Sequence, residues 1–163
     1  MDLGLKGKVA LVTGASRGIG LGIAQGLASE GCLLAICART EGPLQEAKKQ
    51  LAQNGTEVFA IPADISLPEH TAMLVSQTVA QFGRLDVLVN NAGGNRRGLF
   101  ADTNDDDWDA ILNIILQAHI RVSRAAVAQM KKQKSGSIIF ISSIFGREAG
   151  GKGLSIYNTS KAG

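Results

Sequence analysis

Five short apolar runs punctuate this chain, and stretches with helical periodicity separate them. The runs are "KVALVT" (8–13), "LLAIC" (33–37), "EVFAI" (57–61), "DVLVN" (86–90) and "SIIFIS" (137–142). Their length and their content of Val and Ile suit strands buried on both faces. Between them, "IGLGIAQGLASEG" (19–31), "EGPLQEAKKQLAQNG" (41–55) and "PEHTAMLVSQTVAQFG" (68–83) repeat apolar residues at helical spacing and close on glycine. Asn54-Gly55 is the expected cap of the second. A longer helix is expected from about Asn104 to Lys132, with Thr103 as its cap and Asp106 as the capping-box partner. Asp105, Asp106 and Asp107 then sit at its positive end and Lys131 and Lys132 at its negative end. Strands alternating with helices imply βαβ units, a parallel sheet and right-handed crossovers, hence a doubly wound α/β sandwich.

The 163 residues suffice for a single domain spanning 1–163, and an apolar content of 45% suffices for its core. The net charge is only +3, and the basic residues are scattered. No arginine or lysine block tracks a phosphate backbone, so a nucleic-acid partner is not expected. No apolar stretch approaches the ~20 residues of a membrane span, and "MDLGLKGK" lacks a signal peptide's apolar core. Cys32 and Cys37 lie five apart in one apolar run. On a strand they face opposite ways and cannot bridge each other. Two reduced, buried thiols fit a cytoplasmic protein.

Ligands of such sheets bind at the carboxyl ends of the strands. There this sequence places "TGASRGIG" (13–20), Ala38-Arg39, Asp64, "NNAGG" (90–94) and Ser142-Ser143. Any one of these is an ordinary turn; five on one edge make a binding crevice. Gly14, Gly18 and Gly20 allow a tight turn and a close backbone approach to a pyrophosphate at a helix N-terminus. Three residues separate the first two glycines, unlike the G-x-G-x-x-G fingerprint. After the second strand a carboxylate would hold a ribose 2′-hydroxyl, whereas arginine accommodates a 2′-phosphate. Here Arg39 stands there and Arg17 lies in the glycine loop, which favours NADP(H) and leaves NAD(H) possible.

Tyr157 and Lys161 are four apart and share one face of a helix. A free tyrosine, with a pKa of roughly 10, exchanges protons poorly near neutrality. An ammonium group within ~4–6 Å favours the phenolate. Such a phenol can pass a proton to or from a substrate oxygen while hydride moves at carbon. Ser143 follows the fifth strand and can reach the same oxygen.

With "TGASRGIG" (13–20), "ADIS" (63–66), "LDVLVNNAG" (85–93), "GSIIFISS" (136–143) and "YNTSK" (157–161), the sequence resembles the short-chain dehydrogenase/reductases along its whole length. The resemblance implies a Rossmann-like, doubly wound parallel sheet with strand order 3-2-1-4-5 in a three-layer α/β/α sandwich. It implies an NAD(P)(H)-dependent oxidoreductase acting on a small-molecule carbonyl/alcohol pair, and a homodimer or homotetramer. By the same resemblance Tyr157 is the acid/base, Lys161 holds the nicotinamide ribose, and Ser143 orients the substrate oxygen. Gly14, Ser16, Arg17, Gly18, Ile19, Gly20, Arg39, Asp64, Ile65, Asn91, Ala92 and Gly93 contact the cofactor, with Asp64 and Asn91 around the adenine and its ribose. The two arginines resemble the pattern of β-ketoacyl-carrier-protein reductases.

Three departures accompany the resemblance. Ile115 stands where members often carry an asparagine that helps a proton relay, and Asn113 is expected to point elsewhere. The relay partly uses a backbone carbonyl, so weakened activity is expected rather than none. The segment "SIFGREAGGKGLSIY" is about one residue longer than usual, and its Gly150, Gly151 and Gly153 suggest a mobile lip. Members also continue through further strands and helices, so the chain reads as the N-terminal portion of a longer enzyme. Two other functions fit the same fold: a nucleotide-binding regulator without turnover, and an epimerase or dehydratase of the extended relatives. Arg96, Arg97 and Arg147 lie on loops at the crevice edge, where they either attract an anionic substrate or simply meet solvent.

Overall fold

A computed structural model describes residues 3–53, 55–148 and 150–163. The strands are β1 (Val9–Thr13), β2 (Leu33–Ala38), β3 (Val58–Pro62), β4 (Val87–Asn90) and β5 (Ser137–Phe140). They form one parallel sheet in the order β3-β2-β1-β4-β5. The helices are α1 (Gly18–Ser29), α2 (Glu41–Ala52), α3 (Pro68–Phe82), α4 (Asp105–Leu112), α5 (Ala118–Gln133) and α6 (Ser155–Ala162).

Alternation along each strand sorts the core into two layers. Leu11, Ala35, Ile61 and Leu88 face one side, with Leu74 and Val75 of α3 and Val122 and Ala126 of α5. Ala10, Val12, Leu34, Ile36 and Val89 face the other, with Ala24 of α1 and Leu44 and Leu51 of α2. Cys37 belongs to the first layer and Cys32 to the second, and both are free thiols. The sheet edges differ. In β5, Ile139 and Phe140 are 45% and 54% exposed. No helix among the described residues is long and apolar enough to cross a membrane.

The helix ends follow their sequence signals in part. Proline opens α3, and Gly83 ends it at φ 78°. Gly55 follows α2 at φ 81°, while Asn54 lies outside the described residues. The long helix differs from expectation twice. Its cap is Asn104, whose side chain accepts from Asp107 N–H. Thr103 is instead held by Trp108, whose Nε1 donates to its hydroxyl at 3.0 Å. The helix is also interrupted by a π-helical turn, Asn113–Gln117, between α4 and α5.

Candidate functional site

The loop after β1 is built around a buried hydroxyl. Thr13 Oγ1 donates to Val89 O at 3.2 Å and accepts from the N–H groups of Asn91 and Ala92. The Asn91 side chain returns the link, donating from Nδ2 to Thr13 O at 2.9 Å and Gly14 O at 3.2 Å. The glycine loop is thereby stapled to the exit of β4. Gly14 and Gly18 adopt φ of 67° and 58°, which L side chains rarely do. A Cβ on Gly14 would come within 2.8 Å of Ala92 Cα, and one on Gly20 would overlap Gly14 O. One on Gly18 would meet nothing within 4 Å, because that glycine faces open space.

A cleft of about 820 Å³ opens over these strand ends. Its walls include Gly14, Ser16, Arg17, Gly18, Ile19 and Gly20 of the loop, Arg39 after β2, Asp64 and Ile65 after β3, and Asn91, Ala92 and Gly93 after β4. The helix α1 starts at the cleft with no side-chain cap and no acid in its first turn, so its positive end is uncompensated. Arg17 and Arg39 are exposed and make no salt bridge among the described residues. Burial by itself would raise the Asp64 carboxyl. Hydrogen bonding from Ser66 and the Arg39 guanidinium outweigh it, and the net shift is downward. An open backbone approach at Gly18, an uncapped helix start and two exposed guanidinium groups fit a ligand carrying several phosphates.

Tyr157 and Lys161 both lie on α6, outside the lining of this cleft. In α6, Tyr157 packs with Ile111, Ile115 and Ile156, and Ile111 also lines the cleft. The Lys161 Nζ lies 5.9 Å from the Tyr157 ring centroid and donates to Ile141 O at 2.6 Å. Burial lowers the Lys161 pKa. Ser142 Oγ donates to Lys161 O at 2.9 Å, which ties α6 to the exit of β5. Ser143 Oγ accepts from Phe145 N–H at 3.3 Å, leaving its own O–H to donate. No hydrogen bond joins Ser143 to Tyr157. Ile115 is buried in the apolar cluster beside Tyr157, so its side chain moves no proton.

Three loop arginines prove unequal. Arg96 donates to Asp107 Oδ1 at 2.5 Å, and Arg147 lies 3.7 Å from Glu148. Arg97 alone of the three has no carboxylate partner among the described residues. Sequence reading also missed Thr13, and it missed the cleft wall formed by Ala110, Ile111, Asn113 and Ile114. A lone threonine ending a strand carries no local signal. The helical wall depends on how the long helix crosses the sheet.

The sequence model of the family described as short chain dehydrogenase matches residues 8–163. The 3-oxoacyl-acyl-carrier-protein reductase FabG of Staphylococcus aureus is 38% identical over 157 residues, covering 96% of this chain and 63% of that protein. Among solved structures, the L-sorbose reductase of Gluconobacter frateurii, complexed with NADPH and L-sorbose, superposes with a TM-score of 0.95 at 36% identity. That match covers 99% of this chain and 62% of the reductase chain. A short chain dehydrogenase of Burkholderia cenocepacia in complex with NADP gives a TM-score of 0.90 at 38% identity, over 97% of this chain and 64% of that one. The chain thus spans less than two thirds of the length of these relatives.

Proposed function

From the premise that this chain belongs to the short-chain dehydrogenase family, we propose that it binds NADP(H) in the cleft and serves an oxidoreductase that interconverts a carbonyl and an alcohol. The observation that carries the reading is a shared wall. Ile111 lines the cleft and packs in one cluster with Tyr157, which supports a reading in which the phenol stands next to the space a nucleotide would fill. When bound, the cofactor supplies or accepts the hydride. Tyr157 hands its phenolic proton to the carbonyl oxygen as the carbon gains hydride, and takes it back in the oxidative direction. The Ser143 hydroxyl donates to the same oxygen and orients it. Lys161, fixed by the Ile141 carbonyl, keeps its ammonium beside the phenol and within reach of a ribose. Arg17 and Arg39 hold the 2′-phosphate, and the Asp64–Ile65 loop borders the adenine. Two relatives whose structures contain NADPH or NADP lend support to this preference.

The test is titration of NADPH and NADH, followed by carbonyl reduction assays. NADPH should bind at least tenfold more tightly than NADH, and Arg17→Ala with Arg39→Ala should abolish that difference, as expected for about 1.4 kcal/mol or more of phosphate contact. Wherever turnover is measured, Tyr157→Phe should remove it and leave NADPH binding intact. Failure of the 163-residue protein to bind either nucleotide would sink the reading.

A further inference from the structure

The π-helical turn Asn113–Gln117 joins two elements that an unbroken helix would keep apart. Eight residues along an ideal α-helix leave Asn113 and Arg121 roughly 80° apart around the axis. One residue inserted by a π turn brings them to within roughly 20°. The side chains are in fact bonded. Arg121 Nη1 donates to Asn113 Oδ1 at 2.7 Å, and its Nη2 donates to Gln117 Oε1 at 2.8 Å. Asn113 Nδ2 donates in turn to Ser66 O at 2.9 Å. Ser66 is held from the other side as well, its N–H donating to Asp64 Oδ1 at 2.9 Å. Asn113 and Ser66 both line the cleft. A continuous chain of hydrogen bonds therefore runs from the surface of α5, across the π turn, to the loop that follows β3.

We infer that Asn113, oriented by Arg121 across the π turn, is a positioning residue for the adenosine half of the bound nucleotide. This inference rests on the NADP(H) reading proposed above. An amide is suited to the task because its two ends differ: the NH₂ grips the Ser66 carbonyl while the oxygen receives the guanidinium. Arg121 has no carboxylate partner among the described residues, so its charge is spent on holding two amide oxygens in place. With the Ser66 carbonyl fixed, the Asp64–Ser66 loop cannot swing away from the cleft floor.

The experiment measures dissociation constants of NADPH by fluorescence, and of 2′,5′-ADP by competition, for the 163-residue protein and four variants. Asn113→Ala and Arg121→Ala should each weaken both ligands roughly tenfold, the effect of one lost charge-supported hydrogen bond. Arg121→Lys, which keeps one donor, should fall between Arg121→Ala and the parent. Arg124→Ala removes the same charge from the same helix at an exposed site outside the network, and it should bind as the parent does. Affinities unchanged in Asn113→Ala and Arg121→Ala overturn the inference, whatever their melting points. Equal weakening by Arg124→Ala overturns it too, since bulk charge would then be the cause. If Asn113→Ala fails to fold, Arg121→Ala and Arg121→Lys decide alone. A parent protein that binds neither ligand removes the nucleotide reading itself, an outcome distinct from variants that match a parent that binds.

Discussion

Gly20 and Gly22 sit two residues apart in α1, yet a methyl group at each meets opposite surroundings. At Gly20 it would overlap the Gly14 carbonyl and the Asn91 amide, which are parts of the staple that shapes the glycine loop. At Gly22 it would meet nothing within 4 Å, on an exposed helical position. Gly20→Ala should therefore weaken NADPH at least tenfold and lower stability by about 1–3 kcal/mol, the range for overpacking. Gly22→Ala should raise stability by about 0.5–1 kcal/mol, because only helix propensity changes. Denaturant unfolding of both variants, with NADPH titration, checks the pair. A stabilised Gly20→Ala that retained its affinity would contradict the close approach. The sequence marked Gly20 as part of the glycine loop and left Gly22 unremarked, but it gave no steric reason for the difference. Which one is indispensable depends on a backbone carbonyl contributed by the preceding loop.

At the scale of the element, the start of α4 shows how one cap is chosen over another. Two neighbouring residues, Thr103 and Asn104, both qualify as caps by type. The structure gives the cap to Asn104 because the Thr103 hydroxyl is already engaged, donating to Phe100 O at 2.8 Å and accepting from Trp108 Nε1. Asn104→Ala should cost about 1 kcal/mol of stability, and Asn104→Asp, which keeps the acceptor, should cost almost nothing. Equal losses in urea unfolding would show that the side chain does not cap. The π turn belongs to the same scale. Nothing in "LNIILQAH" announces it, since an extra residue per turn is settled by what lies on either side. Here those partners are Ser66 on one side and the α6 contacts of Ile115 on the other.

At the scale of the whole molecule, His119 links three elements. It is 4% exposed on α5, its Nε2 hydrogen-bonds Ala92 O at 2.7 Å beyond β4, and its ring lies 6.2 Å from that of Phe140 in β5. Burial lowers its pKa from 6.5, and the Lys161 charge adds to this against the opposing hydrogen bond to Ala92. The unfolded chain therefore takes up a proton at pH values where the folded chain does not. Stability is complete above about 6.5 and falls as the pH drops below it, with a slope of at most about 1.4 kcal/mol per pH unit for one proton. His119→Gln keeps a donor for Ala92 O and cannot titrate, so its melting temperature between pH 7.5 and 5 should vary less than the parent's. Identical pH profiles would refute the assignment. The strand alternation, the glycine loop, the arginine after β2 and the Tyr157/Lys161 spacing were legible in the sequence because each is a local pattern of period, turn chemistry or helical register. Local pattern could not reveal the Thr13–Asn91 staple, the choice of Asn104 over Thr103, the Arg121–Asn113–Ser66 chain or the pairing of Arg96 with Asp107. Each of these is a hydrogen bond or ion pair between groups whose separation is fixed only when helices pack across the sheet. Sequence by itself determined the doubly wound fold and the line of strand ends where a ligand would sit. The tertiary structure decided which polar groups remain free to meet that ligand, because most donors and acceptors buried by packing are taken up by partners within the protein.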